Sequence, residues 1–185
     1  MVDTPMDIRT ADPRDASAIA AIYAPIVRET AISFETEPPS VDEVARRVRA
    51  TLAAFPWLVA DEDGWIVGYA YAGPHRERAA YRWSCEASVY VAAPARRQGV
   101  ATALYGRLFE ILRAQNYANV FAGVTLPNDP SLAVHTAVGF REVGVYSRVG
   151  FKFGEWRDVA WLGFELRRFG AEPPEPIPFP RLSGV

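Results

Sequence analysis

Ser84-Cys85-Glu86-Ala87-Ser88-Val89-Tyr90-Val91, then Ala92-Ala93-Pro94-Ala95, then Arg96-Arg97-Gln98-Gly99-Val100-Ala101-Thr102 is the stretch whose reading decides the fold. The first eight residues make an apolar run suited to a strand. Beyond the turn, Val100, Leu104, Leu108, Ile111 and Leu112 recur at helical spacing, which predicts a long amphipathic helix ending at Asn116 or Tyr117. A strand that passes through a basic, Gly-containing turn into a helix forms a seat for an anion. Free N–H groups and the positive end of the helix dipole converge there, and Arg96 and Arg97 at the mouth add charge-assisted hydrogen bonds. Glu86 is a carboxylate inside the apolar run. It either loses solvation and becomes a stronger base, or it pairs with an arginine such as Arg76 or Arg82.

Upstream, Asp7-Ile8-Arg9-Thr10 reads as a short strand. Asp12-Pro13-Arg14-Asp15 then supplies an N-cap, a proline and an acid for a helix running to about Arg28. Residues 30–37 carry no regular pattern. Ser40-Val41-Asp42-Glu43 reads as a capping box, opening a helix with Val41, Val44, Val48, Leu52 and Phe55 on one side. Asp61-Glu62-Asp63-Gly64 between apolar runs predicts a hairpin. Downstream, residues 120–125 form a continuous apolar strand, Asp129-Pro130 starts a helix reaching Val138, and Gly139 stops it. Strands are expected over 140–146 and 158–166, with a loop or hairpin at 149–156. Residues 1–6 read as a loose end, and the prolines after Phe169 as an extended tail. The expected organisation is one domain over 1–168 and a Pro-rich tail over 169–185. Two early helices, a hairpin and then alternating strands and helices imply a mixed α/β sheet with helices on both faces.

The 185 residues are long enough for a real core, and half of them are apolar. A net charge of −2 gives no reason to expect a nucleic-acid partner. The single cysteine, Cys85, excludes a disulfide framework and any multi-cysteine zinc site, so no metal is expected. No apolar run approaches the ~20 residues that cross a bilayer. The start lacks the basic and apolar regions of a signal peptide, so a cytoplasmic protein without a membrane partner is expected.

The residues at these junctions resemble the GNAT family of acetyl-CoA-dependent N-acetyltransferases. The family's phosphate turn, Q/R-x-x-G-x-G/A, is matched by Arg96-Arg97-Gln98-Gly99-Val100-Ala101. Asn128 and the ending His135-Thr136-Ala137-Val138-Gly139-Phe140 match further segments, with His135 close to the place where the family commonly has tyrosine. The similarity is greater to the phosphinothricin and methionine sulfoximine acetyltransferases. It is carried by Phe34-Glu35-Thr36-Glu37-Pro38, Glu86-Ala87-Ser88-Val89-Tyr90-Val91, Leu126-Pro127-Asn128-Asp129-Pro130-Ser131 and Gly150-Phe151-Lys152-Phe153-Gly154-Glu155-Trp156-Arg157-Asp158. The resemblance implies an α+β fold with a mostly antiparallel twisted sheet of about seven strands. It also implies acetyl-CoA as co-substrate, a small amine acceptor and a homodimer.

Acetyl transfer to an amine needs a base for the ammonium, donors for the oxyanion and a proton for the departing thiolate. The resemblance assigns the base to Glu86 and the thiolate proton to His135. The backbone of Val89, Tyr90 and Val91 would pair with the pantetheine arm. Arg96, Arg97, Gln98, Gly99, Val100, Ala101 and Thr102 would hold the diphosphate, with Gly99 and Ala101 small enough for close approach. Asn128 would either bond the pantetheine amides or only form a turn. On the acceptor side, Arg76 and Arg78 would grip a carboxylate, and Phe34 and Glu35 would shape the pocket. Trp83, Phe153 and Trp156 read as core or interface. The alternatives are a different amine, from a protein N-terminus or a polyamine, and a CoA-binding regulatory domain without turnover.

Overall fold

The computed structural model describes residues 6–182; the expected loose start lies outside them except for Met6. The elements, in chain order, are β1 (Asp7–Thr10), α1 (Ala16–Glu29), α2 (Val41–Leu52), β2 (Trp57–Glu62), β3 (Trp65–Pro74), β4 (Ser84–Val91), α3 (Val100–Ala114), β5 (Asn119–Thr125), α4 (Asp129–Ala137), β6 (Arg141–Lys152) and β7 (Glu155–Glu165). Seven strands form one sheet in the order β1-β2-β3-β4-β5-β7-β6. Every neighbouring pair is antiparallel except β4 and β5. On one face α1 and α2 bury Ile19, Val44 and Val48 against Trp57, Val59 and Tyr69. On the other, α3 buries Leu104, Leu108, Ile111 and Leu112 against the strands, each side chain contributing roughly 1.5–3 kcal/mol.

Local chemistry sets the boundaries. Asp12 and Asp15 form a reciprocal capping box around a 3-10 turn that leads into α1. Asp63 and Gly64 both have positive φ, 52° and 86°, as a tight hairpin turn between β2 and β3 requires. Asn116, with φ 68°, closes α3, and Gly139, with φ 102°, stops the chain after α4.

Three expectations need correction. Val41 is exposed and Phe55 joins the opposite core, because the apolar stripe of α2 is narrower than the five residues named for it. The β6–β7 hairpin is much longer than expected, since β6 runs to Lys152 before turning at Phe153 and Gly154. Phe153 and Trp156 at its end are exposed, which excludes the core and leaves the interface of the two readings given for them. Finally, the described part of the proline tail is folded back on the body rather than merely extended. The Gln115 side chain, fully buried, donates to the carbonyls of Ala54 and Ile177, and Phe179 N–H donates to Ala54 O. Trp83 Nε1 donates to Pro174 O, and Arg82 pairs with Glu175 at 2.8 Å.

Candidate active site

The parallel strands β4 and β5 pair only at Ser84–Asn119, Cys85–Val120 and Glu86–Phe121. Beyond that rung β4 is paired only with β3, and β5 only with β7. The strands therefore part into a fork, and the backbone of residues 87–91 faces it with an unpaired edge. An extended ligand can add there as a strand would. Glu86 stands on the last shared rung.

At the far end of β4 a 3-10 turn, Ala93–Ala95, leads to Arg96, and Arg97 and Gly99 follow with φ values of 62° and 83°. The first backbone bond of α3 runs from Ala103 N–H to Gly99 O. The amides of Val100, Ala101 and Thr102 thus precede any intrahelical acceptor. Arg96, Arg97 and Gln98 are exposed around them. A Cβ built on Gly99 would meet nothing within 4 Å. The glycine is required for its left-handed backbone rather than to clear protein atoms. Unpaired amides, an exposed guanidinium pair and a free strand edge suit a polyanionic ligand with an extended arm.

The residues expected on the acceptor side fall in separate places, and the cavity that Arg76 and Arg78 line does not include Glu86, Phe34 or Glu35. Of the two readings open for Glu86, the structure shows the paired one. Its side chain is 36% exposed, and its Oε1 lies 2.9 Å from Arg76 Nη1 and 3.0 Å from His75 Nδ1. Of the two arginines considered as its partner, Arg76 is the one that reaches it, whereas Arg82 is held by Glu175. Arg76 and Arg78 line an open cavity of about 370 Å³ together with Tyr81 and Glu175. Phe34 packs its ring over Gly150, leaving no room there for a Cβ. The Glu35 carboxylate accepts from Arg47 at 2.7 Å and from Tyr23 at 3.1 Å. Its partners are thus structural and tie the 30–40 loop to both helices.

Lys152, given no role by the sequence reading, fixes that loop. Its buried ammonium donates to the carbonyls of Val27, Ser33 and Glu35 at 2.7–2.8 Å. Burial pushes this ammonium below the usual lysine range, opposed by the nearby Glu35 charge. Three carbonyl partners offset the desolvation. A lysine between Phe151 and Phe153 was the only signal in the sequence.

His135 is buried on α4. Its Nδ1–H donates to Ser131 O at 2.7 Å, and its Nε2 accepts from Tyr105 Oη at 2.8 Å. A carbonyl only accepts, so this pairing fixes the neutral tautomer. Burial holds the imidazole below the ordinary histidine value, partly opposed by the Ser131 bond. Asn128 caps α4, its Oδ1 accepting from Ser131 N–H at 3.3 Å. Cys85 is fully buried and burial pushes its thiol up, which removes it as a nucleophile. Among the described residues no group of three or more His, Cys, Asp or Glu side chains could hold a metal ion, and no helix is long and apolar enough to cross a membrane.

The model of the acetyltransferase (GNAT) domain family matches residues 8–161, across the fork, the turn and the hairpin. The chain belongs to the GNAT family. It is an acyl-CoA-dependent transferase. A phosphinothricin N-acetyltransferase from Streptomyces viridochromogenes is 37% identical over 94% of this chain and 93% of its own length. An L-methionine sulfoximine/L-methionine sulfone acetyltransferase from Salmonella typhimurium is 32% identical over 90% and 98%. The crystal structure of a GNAT superfamily phosphinothricin acetyltransferase from Sinorhizobium meliloti in complex with acetyl-CoA superposes with a TM-score of 0.87. It is 33% identical, covering 95% of this chain and 96% of that one.

Proposed function

We propose that this GNAT enzyme transfers acetyl from acetyl-CoA to the α-amine of a small amino acid or glutamate analogue, of the phosphinothricin, methionine sulfoximine or methionine sulfone type. Transfer is by direct attack in a ternary complex. The observation that carries this reading is Glu86 on the last rung of the fork with Arg76 against it, a base beside a carboxylate receptor. The relatives named for those substrates support the class. Acetyl-CoA, when bound, supplies an activated acyl group and a thiolate that can leave.

The chain's own residues do the rest. The amides from Arg97 to Thr102, with Arg96 and Arg97, hold the diphosphate. The free edge of Val89, Tyr90 and Val91 aligns the arm and offers an N–H to the acyl oxygen. Glu86 takes the ammonium proton, directly or through a water. Arg76 contacts Glu86 through Nη1, which leaves the other side of its guanidinium for the acceptor's carboxylate. Arg78 adds a second charge, while Phe34 and the loop anchored by Glu35 and Lys152 close the pocket. The thiolate proton was expected from His135. Its geometry supports a narrower role: the one imidazole proton points at Ser131 O, so this ring positions α4, and Asn128 with it, against α3.

The exposed apolar residues Val143, Val145, Val149 and Phe151 lie along β6, one of the two edge strands of the sheet. They support a homodimer in which a second copy covers that edge. Light scattering on the purified chain checks this, and a monomer at micromolar concentration refutes it. A thiol-release assay with acetyl-CoA tests the reaction. The panel comprises phosphinothricin, methionine sulfoximine, methionine sulfone, common amino acids, a short alanyl peptide and spermidine. Amino-acid turnover is the expected result. Peptide or spermidine turnover alone redirects the substrate class, and turnover with no amine leaves only a CoA-binding domain.

A further inference from the structure

We propose that His75 is a positioning residue for Glu86, holding one carboxylate oxygen so that the other is left for the amine. The inference rests on the reading of Glu86 as the base. His75 Nδ1 and Arg76 Nη1 both converge on Glu86 Oε1, at 3.0 and 2.9 Å. An ionised carboxylate only accepts, so Nδ1 carries the imidazole proton and donates it. Oε2 has no protein donor among the described residues. Two donors on one oxygen fix the rotation of the carboxylate and turn its second oxygen outward.

The imidazole is itself held. It stacks on Phe121 with centroids 4.5 Å apart and planes 26° from parallel, and Tyr81 and Trp161 meet it edge-on at 5.8 and 6.1 Å. Only 14% of its side chain is exposed. Phe121 is the register partner of Glu86 on the last rung of the fork. His75 therefore spans that rung, with its flat face on Phe121 and its donor on Glu86. In the transfer step an amine N–H bond breaks, its electron pair stays on nitrogen, and an O–H bond forms at Oε2. His75 keeps its own proton throughout.

Two substitutions separate this role from packing. His75→Phe keeps the aromatic stack and removes the donor; we expect kcat to fall about tenfold with the KM for acetyl-CoA within about twofold. His75→Asn places an amide N–H near the position of Nδ1 and should restore kcat to within about threefold of the parent enzyme. Full turnover by His75→Phe, or an Asn variant as slow as the Phe variant, overturns the proposal. A second arm needs no turnover. The chain has two histidines, so imidazole 15N spectra are assignable with a His135 variant. Glu86→Gln should move the His75 signals and leave those of His135 in place; unmoved His75 signals refute the pairing. If no amine accepts acetyl, the proposed reaction fails while the spectra still decide whether the His75–Glu86 pair exists.

Discussion

The fork around Glu86 and the seam between α3 and α4 each hold one histidine, and they treat it in opposite ways. At the fork His75 lies against a part-exposed carboxylate and a guanidinium. In the seam His135 is buried between a tyrosine hydroxyl and a backbone carbonyl, with both nitrogens engaged inside the protein. The fork combines charges with access for a ligand. The seam has satisfied polar groups and no access. The same side chain thus meets ionisable, part-exposed partners in one place and a hydroxyl and a backbone carbonyl in the other, and what differs is which partner burial leaves it.

That contrast predicts different readouts. Glu86→Gln should lower kcat by about 10²–10³-fold while acetyl-CoA still binds. Near-full turnover at every pH would remove the fork from the chemistry. His135→Phe should instead act on stability. It strands the buried Tyr105 hydroxyl, at a cost of about 1–3 kcal/mol, so the unfolding midpoint should drop by about 3–10 °C. A variant that melts like the parent but has lost kcat would return His135 to the catalytic step. Arg96→Glu together with Arg97→Glu lies outside both regions. It should raise the KM for acetyl-CoA about tenfold or more and leave kcat and melting nearly unchanged; an unaltered KM would move the diphosphate elsewhere.

Smaller effects sharpen the comparison. The seam should show its own pH dependence. The folded imidazole of His135 is held below its ordinary value by burial, so the unfolded chain binds more protons as pH falls below about 6.5. Its contribution is whole above that pH and is lost as pH falls from there through the depressed folded value. Unfolding midpoints at pH 7.5 and 5.5 should therefore differ more for the parent than for His135→Phe; equal differences would show that His135 is not the group titrating. Least of all, Arg82→Ala breaks an exposed ion pair with Glu175 and should shift the melting midpoint by no more than about 3 °C. A larger drop would make the tail a brace for the loop that carries His75 and Arg76.

Much of the strand, turn and helix beside the fork was legible in the chain. The run Ser84–Val91 and the helix from Val100 were bounded correctly, because strand composition, helical period and a positive-φ glycine are local signals. The acceptor side was legible only as names. Glu86 was open to two readings, a desolvated base or an arginine's partner, and the structure pairs it with Arg76 and His75; nothing in β4 tells which loop residue folds over it. Lys152 lay unread because its carbonyl partner on Val27 is 125 residues away.

By itself the sequence determined the order of elements and the caps and turns, and it named candidates for an anion seat and a base. The tertiary structure decided which of those residues are free to act. Dihedral preference and side-chain period act over a few neighbours along the chain. Burial, tautomer and ion-pair choice depend on what distant segments bring within about 3 Å, where hydrogen bonds form.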